Sequence, residues 1–193
     1  ERFTGNHRKI TFDGEGFFQI EKDPDRPFYV YTAHVVTKVL GTSFTIRAFQ
    51  KEPEVVVAVR TGRVSVYTHN DAEDGNAALP ETILTPNQQA IYSKPTHTLS
   101  RALVDNPQPV VSKEKLLAIH FENAPISEIF QTIEDVYQID IRFNERLLAG
   151  CRLTTSISDG GIFDRLDIIC TAIRATYKVE DTHIVINGAG CGR

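Results

Sequence analysis

The sequence predicts two domains of different kind: an N-terminal all-β domain, built as an antiparallel sandwich or a short solenoid, and a small C-terminal α+β domain with a tandem βαβ repeat. Apolar residues alternate with a period of two across residues 8–93, as in strands with one dry face. Asn106-Pro107-Gln108-Pro109 then interrupts all periodicity, as a linker does. Beyond it, strand-like runs alternate with stretches of helical spacing. The expected boundaries are 1–105 for the β domain, 106–115 for the linker and 116–193 for the α+β domain.

In the first half the alternating sets are Ile10 and Phe12, Phe18 and Ile20, Phe28 and Val30, then Val35, Thr37 and Val39. Phe44, Ile46 and Ala48 follow, then Val55, Val57 and Val59, then Val64 and Val66. Most are β-branched or aromatic, residues suited to a pleated, half-buried surface. Asp13-Gly14, Asp23-Pro24-Asp25, Gly41, Thr61-Gly62 and Pro86-Asn87 mark turns and leave little room for helices. The Asp-, Asn-, Gly- and Ala-rich stretch over residues 70–80 reads as an exposed loop, and it lacks the ligand order of a calcium loop.

In the second half His120-Phe121-Glu122 is a short strand, and Pro125 stands at a helix start, where its missing N–H costs nothing. Ile126, Ile129, Phe130, Ile133, Val136 and Tyr137 then make one apolar helical face. Ile139, Ile141 and Phe143 alternate as a strand, and residues 152–157 form another. After Asp159 and two glycines, Ile162, Leu166, Ile169, Cys170 and Ile173 define a second amphipathic helix. Tyr177 and Val179, then Ile184 and Ile186, supply two closing strands around a turn at Glu180-Asp181. A shift of 36 residues lays Ile126 on Ile162, Phe130 on Leu166, Ile133 on Ile169 and Phe143 on Val179, hence the expected repeat. Each half of it is too small to bury its own helix face.

Composition excludes several classes. Of 193 residues, 41% are apolar and 24% charged, so cores can form and wholesale disorder is not expected. The net charge of −4 is spread along the chain without a basic, aromatic-laced run, which argues against nucleic acid as a partner. No apolar stretch approaches the ~20 residues that span a bilayer. There is no Met, and the chain opens at Glu1-Arg2-Phe3, so it is expected to be a piece of a longer protein. His7, His34, His69, His97, His120 and His183 are scattered, with no H-x-H or H-E-x-x-H pair, and no metal or other cofactor is expected. His34 and His120 are expected in strands. Nucleophile-elbow and phosphate-loop motifs are absent, and Glu134-Asp135, Asp164 and Asp167 are expected on solvated helix faces. The chain is therefore not expected to be an enzyme. Cys151, Cys170 and Cys191 fit no zinc or thioredoxin spacing; two buried thiols and a loose terminal one are expected, with a Cys151–Cys170 disulfide open in an oxidising compartment.

Several segments carry a family pattern. The run Arg8-Lys9-Ile10-Thr11-Phe12-Asp13-Gly14-Glu15-Gly16-Phe17-Phe18-Gln19-Ile20 resembles R-x-V-x-L-x-G-E-A-Y-F-x-V. Pro27-Phe28-Tyr29-Val30-Tyr31-Thr32 is similar to P-F-x-V-x-T, and Val39-Leu40-Gly41-Thr42-Ser43-Phe44-Thr45-Ile46 to V-L-G-T-x-F-x-V. Residues 55–66 resemble a strand–G-x-V-x-V hairpin around Gly62, and Leu84-Thr85-Pro86-Asn87-Gln88-Gln89-Ala90 resembles L-x-P-G-Q-x-A with Asn87 in place of Gly. These are motifs of the FecR family of sigma-factor regulators. The second half resembles the C-terminal domain of such proteins from Bacteroides-like bacteria, itself similar to the short secretin/TonB N-terminal fold. The motifs mark turns and strand cores, with Gly41 for close backbone approach and Phe44 for packing, and so a scaffold without a reactive centre.

The resemblance implies a membrane-anchored anti-sigma factor. A cytoplasmic segment would grip an extracytoplasmic-function sigma factor, one helix would cross the inner membrane, and this periplasmic part would meet the signalling domain of a TonB-dependent outer-membrane transducer. It also implies that the chain starts inside the family's β domain. The expected contact is an open strand edge or an exposed helix face of the second domain, placed at Thr182, His183, Ile184, Val185 and Ile186 and at Ile139, Asp140, Ile141, Arg142 and Phe143. The competing expectation is an envelope ligand-binding or secretin-like assembly module. Absence of Trp and the core-facing positions of most Phe and Tyr weigh against a sugar-binding surface.

Overall fold

The computed structural model describes residues 8–68, 81–157 and 160–191. The expected loop at residues 70–80 and Asp159 lie outside them. The chain divides into two compact units, residues 1–104 and 105–193.

The first unit is a β-sandwich. Its strands are β1 (Arg8–Thr11), β2 (Gly14–Gln19), β3 (Phe28–Tyr31), β4 (Val35–Val39), β5 (Ser43–Ala48), β6 (Glu54–Thr61), β7 (Val64–Thr68), β8 (Thr82–Leu84), β9 (Gln88–Ser93) and β10 (Thr98–Leu103). One sheet has the order β1-β3-β4-β7-β8 and the other β10-β9-β6-β5-β2. Every neighbouring pair is antiparallel except β1 with β3. The alternating residues read from the sequence form the shared core: Phe28, Val30, Val35 and Val39 from one sheet face Phe44, Ile46, Val55 and Val57 from the other. That facing arrangement is a sandwich and excludes the solenoid. Gly41 acts as the motif implies, because a Cβ there would run into the Lys22 backbone, which is held close by an Asp23 N–H to Leu40 carbonyl bond of 2.7 Å. Asn87, in the family's glycine position, adopts the left-handed φ of 64° that the turn requires.

The second unit contains α1 (Lys113–Leu117), β11 (His120–Pro125), α2 (Ile126–Tyr137), β12 (Asp140–Arg142), α3 (Glu145–Leu148), β13 (Arg152–Ser156), α4 (Ile162–Ala172), β14 (Ala175–Glu180) and β15 (His183–Gly188). The apolar face of α2 is buried at Ile126, Ile129, Phe130, Ile133, Val136 and Tyr137, and that of α4 at Ile162, Leu166, Ile169 and Cys170. Both helices end at a left-handed residue, Gln138 and Arg174. β11 pairs antiparallel with β13. A three-stranded sheet runs β12-β15-β14, parallel between β12 and β15 and antiparallel between β14 and β15.

Several expectations need correction. Residues 113–115 of the expected linker are helical, because Ser112 caps α1 by accepting the Lys115 N–H. A tenth strand, β10, lies beyond Ser93, and the single turn of α3, capped by Asn144, has no periodicity long enough to read. His34 stands in the β3–β4 turn and not in a strand, stacked on Tyr92 at 5.5 Å. Cys191 is not loose: it is disulfide-bonded to Cys151, and Cys170 is the buried free thiol.

Candidate functional site

The ten residues expected at a partner interface separate cleanly. Ile139, Ile141, Ile184 and Ile186 are buried, and Phe143 packs its ring 5.1 Å from that of Phe130. These five are core. Asp140 and Arg142 are exposed, and Thr182, His183 and Val185 are half-buried.

Strand addition at β15 meets an obstacle the sequence did not reveal. β15 is the central strand, hydrogen-bonded to β12 on one side and β14 on the other, so its backbone has no open edge. The edge role expected of residues 182–186 is corrected accordingly. β12 is an edge, but the Ile141 N–H there donates to Glu134 Oε1 at 2.6 Å. Asp140, Arg142, Thr182, His183 and Val185 therefore offer side chains on a sheet face rather than a free ladder of backbone groups.

That face is organised by register. Asp140, His183 and Glu180 form one row across β12, β15 and β14, and Arg142, Val185 and Lys178 form the next. Cross-strand neighbours share a face, so an acidic row lies beside a basic one. Arg142 Nε donates to Asp140 Oδ2 at 2.7 Å, and Arg142 Nη1 lies 3.1 Å from His183 Nε2. An arginine can only donate, so Nε2 is the acceptor in that contact. Glu180 Oε2 is 3.8 Å from the same Nε2. Glu180 and Lys178 were missed as site residues. The signal for them was present, because a two-residue turn at Asp181-Thr182 sets Glu180 opposite His183.

Behind the sheet, burial pushes the Glu134 carboxyl above the usual carboxylate range. The bond from Ile141 opposes this, while Asp140 and Asp135 add to it. Glu134 is thus a structural acceptor and not a purely solvated charge. Asp164 has a similar role, its Oδ2 accepting the Gly161 N–H at 2.9 Å at the start of α4.

Ligand sites are poorly developed. The cavity bordered by Phe12, Asp13, His34, Gln50 and Lys94 in the first unit measures about 190 Å³, below the roughly 300–1,000 Å³ of small-molecule pockets. The Lys94 ammonium beside it is already engaged by the Phe49 and Gln50 carbonyls at 2.8 and 3.1 Å. A groove of about 360 Å³ beside the start of α2 carries only Ser127 and Glu145 as polar side chains. Among the described residues no three His, Cys, Asp or Glu side chains are grouped to hold a metal ion.

Two family models match the chain. One, described as FecR protein, covers residues 1–65, and the other, described as FecR, C-terminal, covers residues 118–186. The chain belongs to the FecR family. The charged face of the β12-β15-β14 sheet falls within the FecR C-terminal match, and the sandwich motifs around Gly41 and Phe44 fall within the FecR match. Comparison with curated proteins returns no match. Two crystal structures, at 1.65 and 2.50 Å, of a candidate anti-sigma factor from Parabacteroides distasonis ATCC 8503 are similar at 25% identity. Each is covered over 83% of its length by 97% of this FecR chain, with a TM-score of 0.48.

Proposed function

We propose that this FecR chain is the periplasmic relay portion of a single-pass inner-membrane anti-sigma factor. It passes a signal from a TonB-dependent outer-membrane transducer to an extracytoplasmic-function sigma factor through protein–protein contacts, without catalysis. The observation that carries this reading is the succession of the FecR and FecR C-terminal matches along one chain. The sigma factor would be held by a cytoplasmic segment outside this sequence. Among the described residues no helix is long and apolar enough to cross a membrane, so the anchor would also lie elsewhere. Placement in the periplasm is supported by the Cys151–Cys191 disulfide, since such bonds persist in oxidising compartments and are rare in the cytosol.

The transducer's signalling domain would dock on the open face carrying Asp140, Arg142, Thr182, His183 and Val185. Two rows of opposite sign fix the register of a partner, which is how surface charge serves specificity. Titration calorimetry of this chain with the signalling domain of the transducer encoded beside it tests the reading. Saturable binding that Arg142→Glu weakens about tenfold or more, with the thermal melt unchanged, is expected. No binding at high micromolar concentration between two folded proteins would overturn it.

A further inference from the structure

We infer that the outer edge of β14 is a self-association edge, at which two copies of this chain pair β14 antiparallel with β14 to make one continuous six-stranded sheet. The inference rests on the backbone edge of the sheet and not on its charged face, although Glu180 and Lys178 border both.

β14 is six residues long and ends the β12-β15-β14 sheet. The opposite edge is shorter, three residues of β12, and is closed at Ile141 by Glu134. No comparable side-chain cap lies on the outer side of β14 among the described residues: Thr176 Oγ1 donates inward to the Asn187 carbonyl of β15, and the Tyr177 side chain bonds Asp167 of α4. Long open edges are normally covered, bulged or charged, because unpaired N–H and C=O groups template another strand.

The hairpin determines which groups face outward. Glu180 opposes His183 across a two-residue turn, and the pair that closes such a turn exchanges both backbone bonds. Alternation along the ladder then assigns Lys178 and Thr176 to β15 and leaves the N–H and C=O of Ala175, Tyr177 and Val179 pointing outward. A symmetric antiparallel partner must match outward residues with outward residues.

Charge selects among the registers this allows. Centred on Lys178, the pairing sets Lys178 against its own copy. Centred on Thr176, it sets Lys178 against the second copy's Arg174. Both place like charges directly opposite, which is destabilising. Centred on Val179, it sets Lys178 against Glu180 but runs into the turn at Asp181-Thr182 and pairs little of the strand. Centred on Tyr177, it uses the whole strand, sets Lys178 against Thr176, and brings Glu180 at both ends to the second copy's Arg174, which precedes the strand in a left-handed conformation. It also lays Val179, an apolar side chain 45% exposed, across from the second copy's Ala175. Tyr177 is fixed for a place at the dyad, since its ring stacks on Phe163 of α4 at 6.3 Å.

Sedimentation equilibrium of the 193-residue chain over a wide concentration range, with amide hydrogen exchange at Tyr177 and Val179, tests this. A concentration-dependent dimer is expected, with those two amides protected as it forms. Glu180→Arg and Arg174→Glu should each weaken dimerisation about tenfold by placing like charges opposite one another, and the double exchange should restore it. A chain that stays monomeric to about 1 mM, the weak limit of useful association, overturns the inference. So does a dimer that ignores both single reversals, or one whose loss the double exchange fails to repair.

Discussion

The Glu134 carboxylate accepts the Ile141 amide at 2.6 Å, joining the last turn of α2 to the strand that follows it. The bond supplies the partner that edge position lacks and holds β12 against β15 without a further strand. It also makes β12 a poor template for another chain, because any incoming strand would have to displace a charged acceptor. The cost is a carboxylate brought partly out of water, which burial discourages from ionising.

Glu134 therefore has a predictable pH signature. Its folded-state affinity for a proton is raised, so the folded state binds more protons than the unfolded one just above the ordinary glutamate value of about 4.3. Its contribution to stability is fully present below that value and is lost as pH rises through the higher folded-state value. Glu134→Gln keeps an acceptor for Ile141 and removes the ionisation. Melting temperatures should show Gln gaining on the natural residue as pH rises above about 4. Glu134→Ala, which leaves the Ile141 N–H unpaired, should lose about 1–2 kcal/mol. A Gln variant whose melting temperature tracks the natural protein at every pH would contradict this account.

The Cys151–Cys191 disulfide closes a loop across 40 positions of sequence and ties the C-terminal tail to the start of β13. In the chain-entropy view a loop of that size stabilises by about 4 kcal/mol. Cys191→Ser should lower the unfolding free energy of the second unit, measured by urea titration, by most of that amount, and the double variant with Cys151→Ser should lose little more. Addition of reductant to the natural protein should reproduce the loss, while leaving the Cys191→Ser variant unchanged.

Cys170 is chemically quiet for a physical reason. Burial, with Asp167 nearby, pushes its thiol up to about 11, so the reactive thiolate is scarce at neutral pH. A thiol-directed reagent should label no cysteine in the native oxidised protein, one after unfolding without reductant, and three after unfolding with it. Mass spectrometry should place the single label on Cys170. Labelling at Cys151 or Cys191 under those conditions would mean the disulfide is absent.

Much of this was legible in the sequence because burial imposes a period. Val55, Val57 and Val59, or Ile126, Ile129 and Phe130, sit where spacing alone puts them, since a pleat and a helix each turn one face to the core. What escaped depends on which strand lies beside which. Thr182 to Ile186 read as a closing strand, and a last strand in sequence is easily taken for an edge, but parallel pairing with β12 places it in the middle. Strand addition at residues 182–186 thus loses its open backbone, while Asp140 and Arg142 stay exposed and His183 half-buried. Cys191 escaped likewise: sequence counts thiols, and only the fold brings the C-terminal tail back to Cys151.

Two threonines of the sandwich test how the unit tolerates buried hydroxyls. Thr37 is fully buried on β4, among the inward positions Val35 and Val39, and its Oγ1 has no hydrogen-bond partner among the described residues. Thr32, just before the same hairpin turn, is also buried, but its Oγ1 donates to the Val35 carbonyl at 3.0 Å and accepts the Val35 N–H at 3.2 Å. Valine has threonine's shape without the hydroxyl, so it removes polarity while leaving packing in place. At Thr37 the substitution ends a desolvation penalty and should stabilise by about 1 kcal/mol. At Thr32 it strips the turn of both bonds and leaves the Val35 N–H short of a partner, which should cost about 1–3 kcal/mol. Urea unfolding of the two single variants decides the matter, since opposite signs are expected from one and the same chemical change. Equal signs would mean that Thr37 has a partner, such as an internal water, that balances its burial.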